Sequence, residues 1–202
     1  LILILGISHG ALDNIKGKKL FKIFGFKSSI YFYLVYILIS VLIVACWLVF
    51  PNSVLFIFLV VASYHFGKED TVFSFKRKFL ISEFLFFLKG STVILMPLLL
   101  KRDETLEIFK ILNFNVFEFS IFTDQFLMMI LFLSFISSLY ISQKKNSNVI
   151  GIMIMDFFSL FILNFFLTPV LAFTLYFCFL HSIRHSIKLI FELDKSFKSG
   201  IR

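Results

Sequence analysis

The 202-residue chain is too apolar for a soluble domain. Hydrophobic residues make up 59% of it, charged residues make up 16%, and the mean hydropathy is +0.97, values outside the range of soluble globular domains. The composition therefore indicates an integral membrane protein. A formal net charge of +8 is explained by membrane orientation and by contact with lipid headgroups of the bilayer, so nucleic acid is not predicted as a partner.

Apolar runs of roughly membrane-spanning length recur along the chain. They cover residues 1–12, 30–50, 54–66, 79–100, 124–142, 149–167 and 170–190. The run at 54–66 is short for a crossing, which leaves a tilted helix, a broken helix and a helix extended past Gly67 open. We predict an all-α, polytopic transmembrane helical bundle of about seven helices, forming a single transmembrane domain over residues 1–202. Because the chain begins inside one apolar run and stops just after another, we expect it to be a fragment.

Lys and Arg are distributed unequally between the two sets of connections. Fifteen lie in the connections on one side, and three lie on the other side in a loop rich in acids. Positive residues accumulate in cytoplasmic loops, so the basic side is predicted to be cytoplasmic, in a multi-pass protein of the inner (plasma) membrane. Two further cations, Lys89 and Arg184, fall inside predicted helices. We expect Arg184 to snorkel or to pair with an acid such as Glu83 or Asp156, and Lys89 to behave likewise.

The chain has four histidines, and the predicted topology places all of them toward the cytoplasmic ends of helices. His9 ends the first run, His65 ends the third, and His181 and His185 lie four residues apart in the last, where a helix would present both on one face. A lone intramembrane histidine usually joins helices by a hydrogen bond. Ionisable groups at this depth are nevertheless costly and often functional, and four at one depth favour a metal centre near the cytoplasmic side.

The ligand type limits the chemistry of such a centre. Neutral imidazoles suit Fe, Zn, Cu and Ni, and four of them around Fe(2+) would leave one or two positions open for O2. Carboxylates commonly fix the tautomer of a liganding imidazole. Asp13 lies one turn beyond His9, and Asp70 lies five residues beyond His65, so we predict that each acid orients its histidine; the alternative is an interfacial cap or a loop charge. The neighbouring acid Glu69 is predicted to be a loop residue with no role.

Glycines accompany two of the histidines. Gly10 follows His9 directly, and Gly67 lies two residues after His65. Each could permit the close approach of another helix or simply mark a helix end.

Four motifs make the sequence recognisable. GISHGALD at 6–13, ASYHFGKED at 62–70, FFLKGSTVILMPLLLKRDETLEIFKIL at 86–112 and TLYFCFLHSIRH at 174–185 resemble, in order and spacing, the Brp and Blh family of bacterial and archaeal β-carotene dioxygenases. The histidines of these motifs are regarded as iron ligands in that family. The resemblance therefore implies Fe(2+) as cofactor, bound by four side chains: His9, His65, His181 and His185. Family members continue into further hydrophobic segments, so we expect the chain to lack these as well as its extreme N-terminus.

The resemblance also implies an activity. Members cleave the central double bond of all-trans-β-carotene with O2 and release two all-trans-retinal molecules, which implies a functional link to a retinal-binding opsin. A site among helices that is open to lipid suits a polyene dissolved in the bilayer, because the protein must position the midpoint of the polyene. Two other classes stay open: a membrane protein that binds haem through axial histidines, and a carotenoid-binding protein without cleavage activity.

Overall fold

A computed structural model describes residues 13–25, 28, 30–71, 80–114, 122–142 and 147–187. Nearly all of these residues are helical, and no strand occurs within the described ranges. The all-α prediction is confirmed. The helices in chain order are α1 (Asp13–Ile23), α2 (Ile30–Val49), α3 (Pro51–Glu69), α4 (Leu80–Leu100), α5 (Arg102–Ile111), α6 (Asp124–Ser142), α7 (Ser147–Phe166) and α8 (Pro169–Ile187).

Five of these helices, α2, α4, α6, α7 and α8, are long and apolar enough to cross a membrane. A helix of 20 residues extends about 30 Å, which matches the hydrocarbon thickness of a bilayer. The predicted run at 1–12 lies outside the described residues, and each of the other six predicted runs corresponds to a helix. The prediction of a transmembrane helical bundle is confirmed.

Helix α3 contains the short apolar run at 54–66. It begins at Pro51 and continues past Gly67 to Glu69, a length of 19 residues. Proline suits this first position because its fixed φ matches the helix and its missing N–H would have no partner there. Of the three possibilities left open by the sequence, the structure shows the extended helix.

Helices α3 and α4 cross with their backbones in contact. A Cβ atom added at Gly67 would lie 1.8 Å from the carbonyl oxygen of Phe86, and one added at Gly90 would lie 1.8 Å from that of Ser63. No side chain fits at either position. Gly67 therefore permits close helix approach, which was one of its two predicted roles, whereas Gly10 lies outside the described residues.

Small polar side chains occupy the contact between α4 and α6. The hydroxyls of Thr92 and Ser134 are hydrogen-bonded to each other across the two helices, and Ser138 donates to the backbone oxygen of Ser134 at 3.0 Å. All three side chains are buried. Such residues let membrane helices approach closely. This packing holds α4 in the centre of the bundle, between α3 on one side and α6 on the other.

Helix α8 contains an irregular segment. Residues Tyr176–Ser182 are π-helical, while the preceding two turns, Pro169–Leu175, are α-helical. π-helical segments are rare in proteins, and those that occur are often found at functional sites. Here the π-helical segment carries His181, and Tyr176 of the same segment belongs to a buried apolar cluster with Phe66, Val93 and Leu160.

Candidate metal centre

Three of the four predicted ligand residues lie together. His65 is near the end of α3, His181 is in the π-helical segment of α8, and His185 follows it on the same helix. The ring centroids of His65 and His181 are 5.3 Å apart, and those of His181 and His185 are 6.4 Å apart with planes inclined by 16°. The predicted shared face of His181 and His185 is thus found, whereas His9 lies outside the described residues.

Aromatic side chains enclose His181, which is fully buried. Phe177 is stacked beside its imidazole at 5.6 Å between centroids, and Phe66 presents an edge at 4.8 Å with planes at 85°. These rings restrict the orientation of the imidazole and exclude water from it. His65 is only half-buried, so it is the most open of the three histidines.

Asp70 is the closest acid to the histidines. Its Oδ1 accepts a hydrogen bond from Nδ1 of His181 at 2.7 Å, and its Oδ2 accepts one from the hydroxyl of Tyr176. The prediction that Asp70 orients His65 is therefore wrong. Asp70 follows the last residue of α3, and both of its carboxylate oxygens accept hydrogen bonds from side chains of α8.

The ionisation of Asp70 follows from the same contacts. Burial alone would raise the pKa of this carboxyl, but the hydrogen bond and charge of His181, with Lys89 and Tyr176, hold the pKa below its ordinary value. Asp70 is therefore a carboxylate at neutral pH. A carboxylate accepts only, so Nδ1 of His181 is the donor of this hydrogen bond.

Glu69 makes a second contact of the same kind. It is the last residue of α3, and its Oε2 accepts a hydrogen bond from Nδ1 of His185 at 3.2 Å. Glu69 was predicted to lie in a loop, and this part of the prediction is wrong because Glu69 belongs to α3. Two consecutive acids thus reach two histidines that are one turn apart on α8. Nothing in the sequence pattern distinguished Glu69 from an ordinary interfacial acid.

The predicted contact of Asp13 with His9 cannot be located in the structure. Asp13 is the first residue of α1, but neither its side chain nor His9 belongs to the described part of the molecule. The role of Asp13 stays a prediction.

Arg184 lies between the two histidines in sequence but faces another direction. Its two terminal nitrogens donate to the two carboxylate oxygens of Asp156 on α7, each at 2.6 Å. The predicted pairing with Asp156 is confirmed. Glu83, the other acid considered, instead contacts Tyr64 and forms an ion pair with Lys68 at 3.2 Å.

The sequence also matches a known protein family over nearly its whole length. The sequence model of the β-carotene 15,15'-dioxygenase family matches residues 1–200. The chain belongs to this family. The match covers all four histidines and confirms the resemblance carried by the motifs. Searches among curated proteins and among solved structures found no match.

The histidines of this dioxygenase-family member, with their carboxylate partners, are side chains of the types that bind metal ions. Metal-binding histidines usually donate their other ring N–H to a carboxylate, as His181 and His185 do here. The ring centroids of neighbouring histidines are 5.3 and 6.4 Å apart, so the three imidazoles are close neighbours. In the described part of the chain, no group of three His, Cys, Asp or Glu side chains is arranged to hold a metal.

Tyr176 is a residue of this site that the sequence analysis missed. Its hydroxyl donates to Asp70 from a fully buried position, so Asp70 is held from two directions. A tyrosine in an apolar, Phe-rich helix carries no signal of such a role. Only the packing of α8 against the end of α3 reveals it.

Proposed function

We propose that this protein is an iron-dependent membrane dioxygenase that cleaves the central double bond of all-trans-β-carotene with O2 and releases two all-trans-retinal molecules. The family match supports the substrate and the reaction class. The observation that carries the proposal is the paired contact of Glu69 and Asp70 with His185 and His181. In this arrangement a carboxylate occupies Nδ1 of each histidine, so Nε2 is the ring atom that would bind a metal, as in the carboxylate–histidine pairs of metal sites.

In this proposal Fe(2+) is held by four imidazoles: His9, His65, His181 and His185. When bound, Fe(2+) supplies the chemistry that activates O2. The central C=C bond breaks, and each of the two carbons receives one oxygen atom of O2 as an aldehyde, so no external reductant is consumed.

The residues of the chain itself have three tasks. The carboxylates of Asp70 and Glu69 keep Nδ1 of their histidines protonated and fix the ring orientation. Phe66 and Phe177 pack against His181 and exclude water. His65 is the least buried of the three, so we propose that a polyene from the lipid would approach at this histidine. Holding the midpoint of the polyene there would select the central bond.

The membrane placement belongs to the same proposal. The excess of Lys and Arg on one set of connections puts the histidines toward the cytoplasmic side of a plasma membrane. Substrate would enter from the bilayer, and retinal would leave to the bilayer or to a retinal-binding opsin.

Expression in cells that accumulate β-carotene tests the reaction. We expect the orange colour to fade and two retinal molecules to appear for each β-carotene lost. Alanine in place of His65, His181 or His185 should abolish cleavage and lower bound iron, and the losses should not add because ligands of one ion act as a unit. Two of these variants with normal iron and normal cleavage would rule out the site.

The absorption spectrum of the purified protein separates the remaining classes. A Soret band would identify a haem protein. Bound carotenoid without metal and without cleavage would identify a carotenoid-binding protein. Iron without a Soret band is the result expected for the dioxygenase.

A further inference from the structure

A small cavity lies beside Asp70, the partner of His181, among four charged side chains. Asp70, Lys89, Asp156 and Arg184 all line it, and it has about 30 Å³ of space for water. These residues come from four segments: the end of α3, α4, α7 and α8. Their formal charges cancel, so the cavity favours a neutral polar occupant over a free ion.

Lys89 is the member of this group with the fewest contacts. Its side chain is buried, and its ammonium donates to Oγ1 of Thr71 at 3.3 Å. An ammonium has three N–H donors, and a buried charge is costly unless its donors are hydrogen-bonded. Arg184 and Asp156 are paired with each other through two hydrogen bonds. The cavity beside Lys89 is therefore the place where its other donors can find acceptors.

The size and lining of the cavity define what it can hold. A water molecule needs roughly 10–15 Å³ of such space and two to four polar partners, so one or two waters fit. The carboxylates of Asp70 and Asp156, the ammonium of Lys89 and the hydroxyl of Ser138 are among the lining groups. A carotenoid or retinal skeleton is far too large for this volume, so Lys89 is not placed to bind the product.

We infer that one or two water molecules in this cavity connect the ammonium of Lys89 to the carboxylate of Asp70, and that Lys89 is thereby a positioning residue for His181. Each oxygen of Asp70 accepts one hydrogen bond, from His181 or from Tyr176, and a carboxylate oxygen has room for a second. A bridging water joins polar groups almost as well as a direct hydrogen bond. The inference rests on the proposed function only where His181 is taken as a metal ligand.

Two changes at Ser138 test the water. Ser138 lines the cavity from α6, and its hydroxyl donates to its own helix at the backbone oxygen of Ser134. Ser138→Val fills the cavity and displaces the water while all four charges stay, whereas Ser138→Ala removes the hydroxyl without filling the space. Lys89→Met removes the ammonium with little change in volume. The buried Ser91, which bonds to its own helix at Leu88, gives the control Ser91→Ala.

Two measurements follow each variant: the Nδ1–H resonance of His181 by NMR in the metal-free protein, and the affinity for Co²⁺ as a probe of the site. We expect Ser138→Val and Lys89→Met to shift the resonance and to weaken Co²⁺ binding by roughly 10-fold, the lower end of the range for outer partners of metal ligands. Ser138→Ala and Ser91→Ala should change neither. The effect of Lys89→Met should disappear when Asp70 is already Asn, because Lys89 acts through Asp70.

The outcomes separate the inference from the proposed function. An unchanged His181 resonance in Ser138→Val overturns the water bridge, and this holds even where Lys89→Met does not fold. If Lys89→Met has the same effect in the wild-type background and in the Asp70→Asn background, Lys89 does not act through Asp70, and that part of the inference is overturned. If the wild-type protein does not bind Co²⁺ but the His181 resonance shifts as expected, the metal site fails and the hydrated contact stands.

Discussion

Replacing Gly90 by alanine perturbs the backbone contact between α3 and α4 with a single methyl group. The new Cβ would lie 1.8 Å from the carbonyl oxygen of Ser63 and 2.4 Å from the backbone nitrogen of Gly67, whereas ordinary contacts begin at 3.4 Å. These are backbone atoms, so no side-chain rotation relieves the overlap. The two helices must separate by roughly 1.5 Å, which costs contacts along the crossing.

The magnitude follows from that separation. Overpacking of a well-packed contact costs about 1–3 kcal/mol, and a chain of this size loses about 2–4 °C of Tm per kcal/mol. We therefore expect Gly90→Ala to lower Tm by roughly 2–12 °C. Because Asp70 lies at the end of α3, the same shift should weaken its contact with His181 and lower the affinity for Co²⁺.

Gly151 on α7 supplies the matched control. A Cβ there would have no atom within 4 Å, and alanine in a helix is favoured over glycine by about 0.5–1 kcal/mol. Thermal unfolding in detergent micelles should therefore show a higher Tm for Gly151→Ala and a lower Tm for Gly90→Ala. Shifts of the same sign and size in both variants would show that α3 and α4 are not in backbone contact.

Three further predictions concern the two acids, the Arg184–Asp156 pair and the membrane topology. Asp70→Asn should keep the fold and weaken Co²⁺ binding by roughly 10- to 100-fold. Glu69→Gln should weaken Co²⁺ binding less, because the contact of Glu69 with His185 is longer and more exposed. If both variants have equal and negligible effects, the two acids are interfacial residues without a role at the site. Arg184→Met should lower Tm because it removes the partner of the half-buried Asp156 carboxylate, and adding Asp156→Asn should restore part of the loss. Additive losses would contradict a direct pair. A reporter fused after Gln143 should lie in the cytoplasm and one inserted between α5 and α6 outside it; finding both on one side would refute the topology.

The positions of the helices could be predicted from local composition. Each described apolar run corresponds to a helix because hydrogen bonds within one segment are the way an isolated stretch of chain satisfies its backbone in lipid. The shared face of His181 and His185 was predictable for a similar reason, since helical spacing is a local property. The pairing of Arg184 with an acid followed from the cost of an isolated charge at this depth, although the choice of Asp156 over Glu83 did not.

The partners of the acids were beyond sequence reasoning. Proximity along the chain suggested that Asp70 serves His65, but Asp70 contacts His181, more than a hundred residues away. The sequence predicts Glu69 to be an ordinary loop acid, because its contact with His185 forms only when α8 packs beside the end of α3. The π-helical turn that carries His181 also has no signal in a Phe-rich apolar run, since the hydrophobic period of such a run is weak.

The sequence by itself determined the class of the molecule, the helical segments, the predicted membrane orientation and the four histidines as the set to consider, because hydropathy, charge and motif spacing act over short distances along the chain. Only the tertiary structure decided which faces of α3, α4 and α8 meet. That choice depends on the absence of side chains at Gly67 and Gly90, which lets two backbones touch, and on the packing of α8 beside them. These contacts bring the carboxylates of Glu69 and Asp70 to the two histidines of α8.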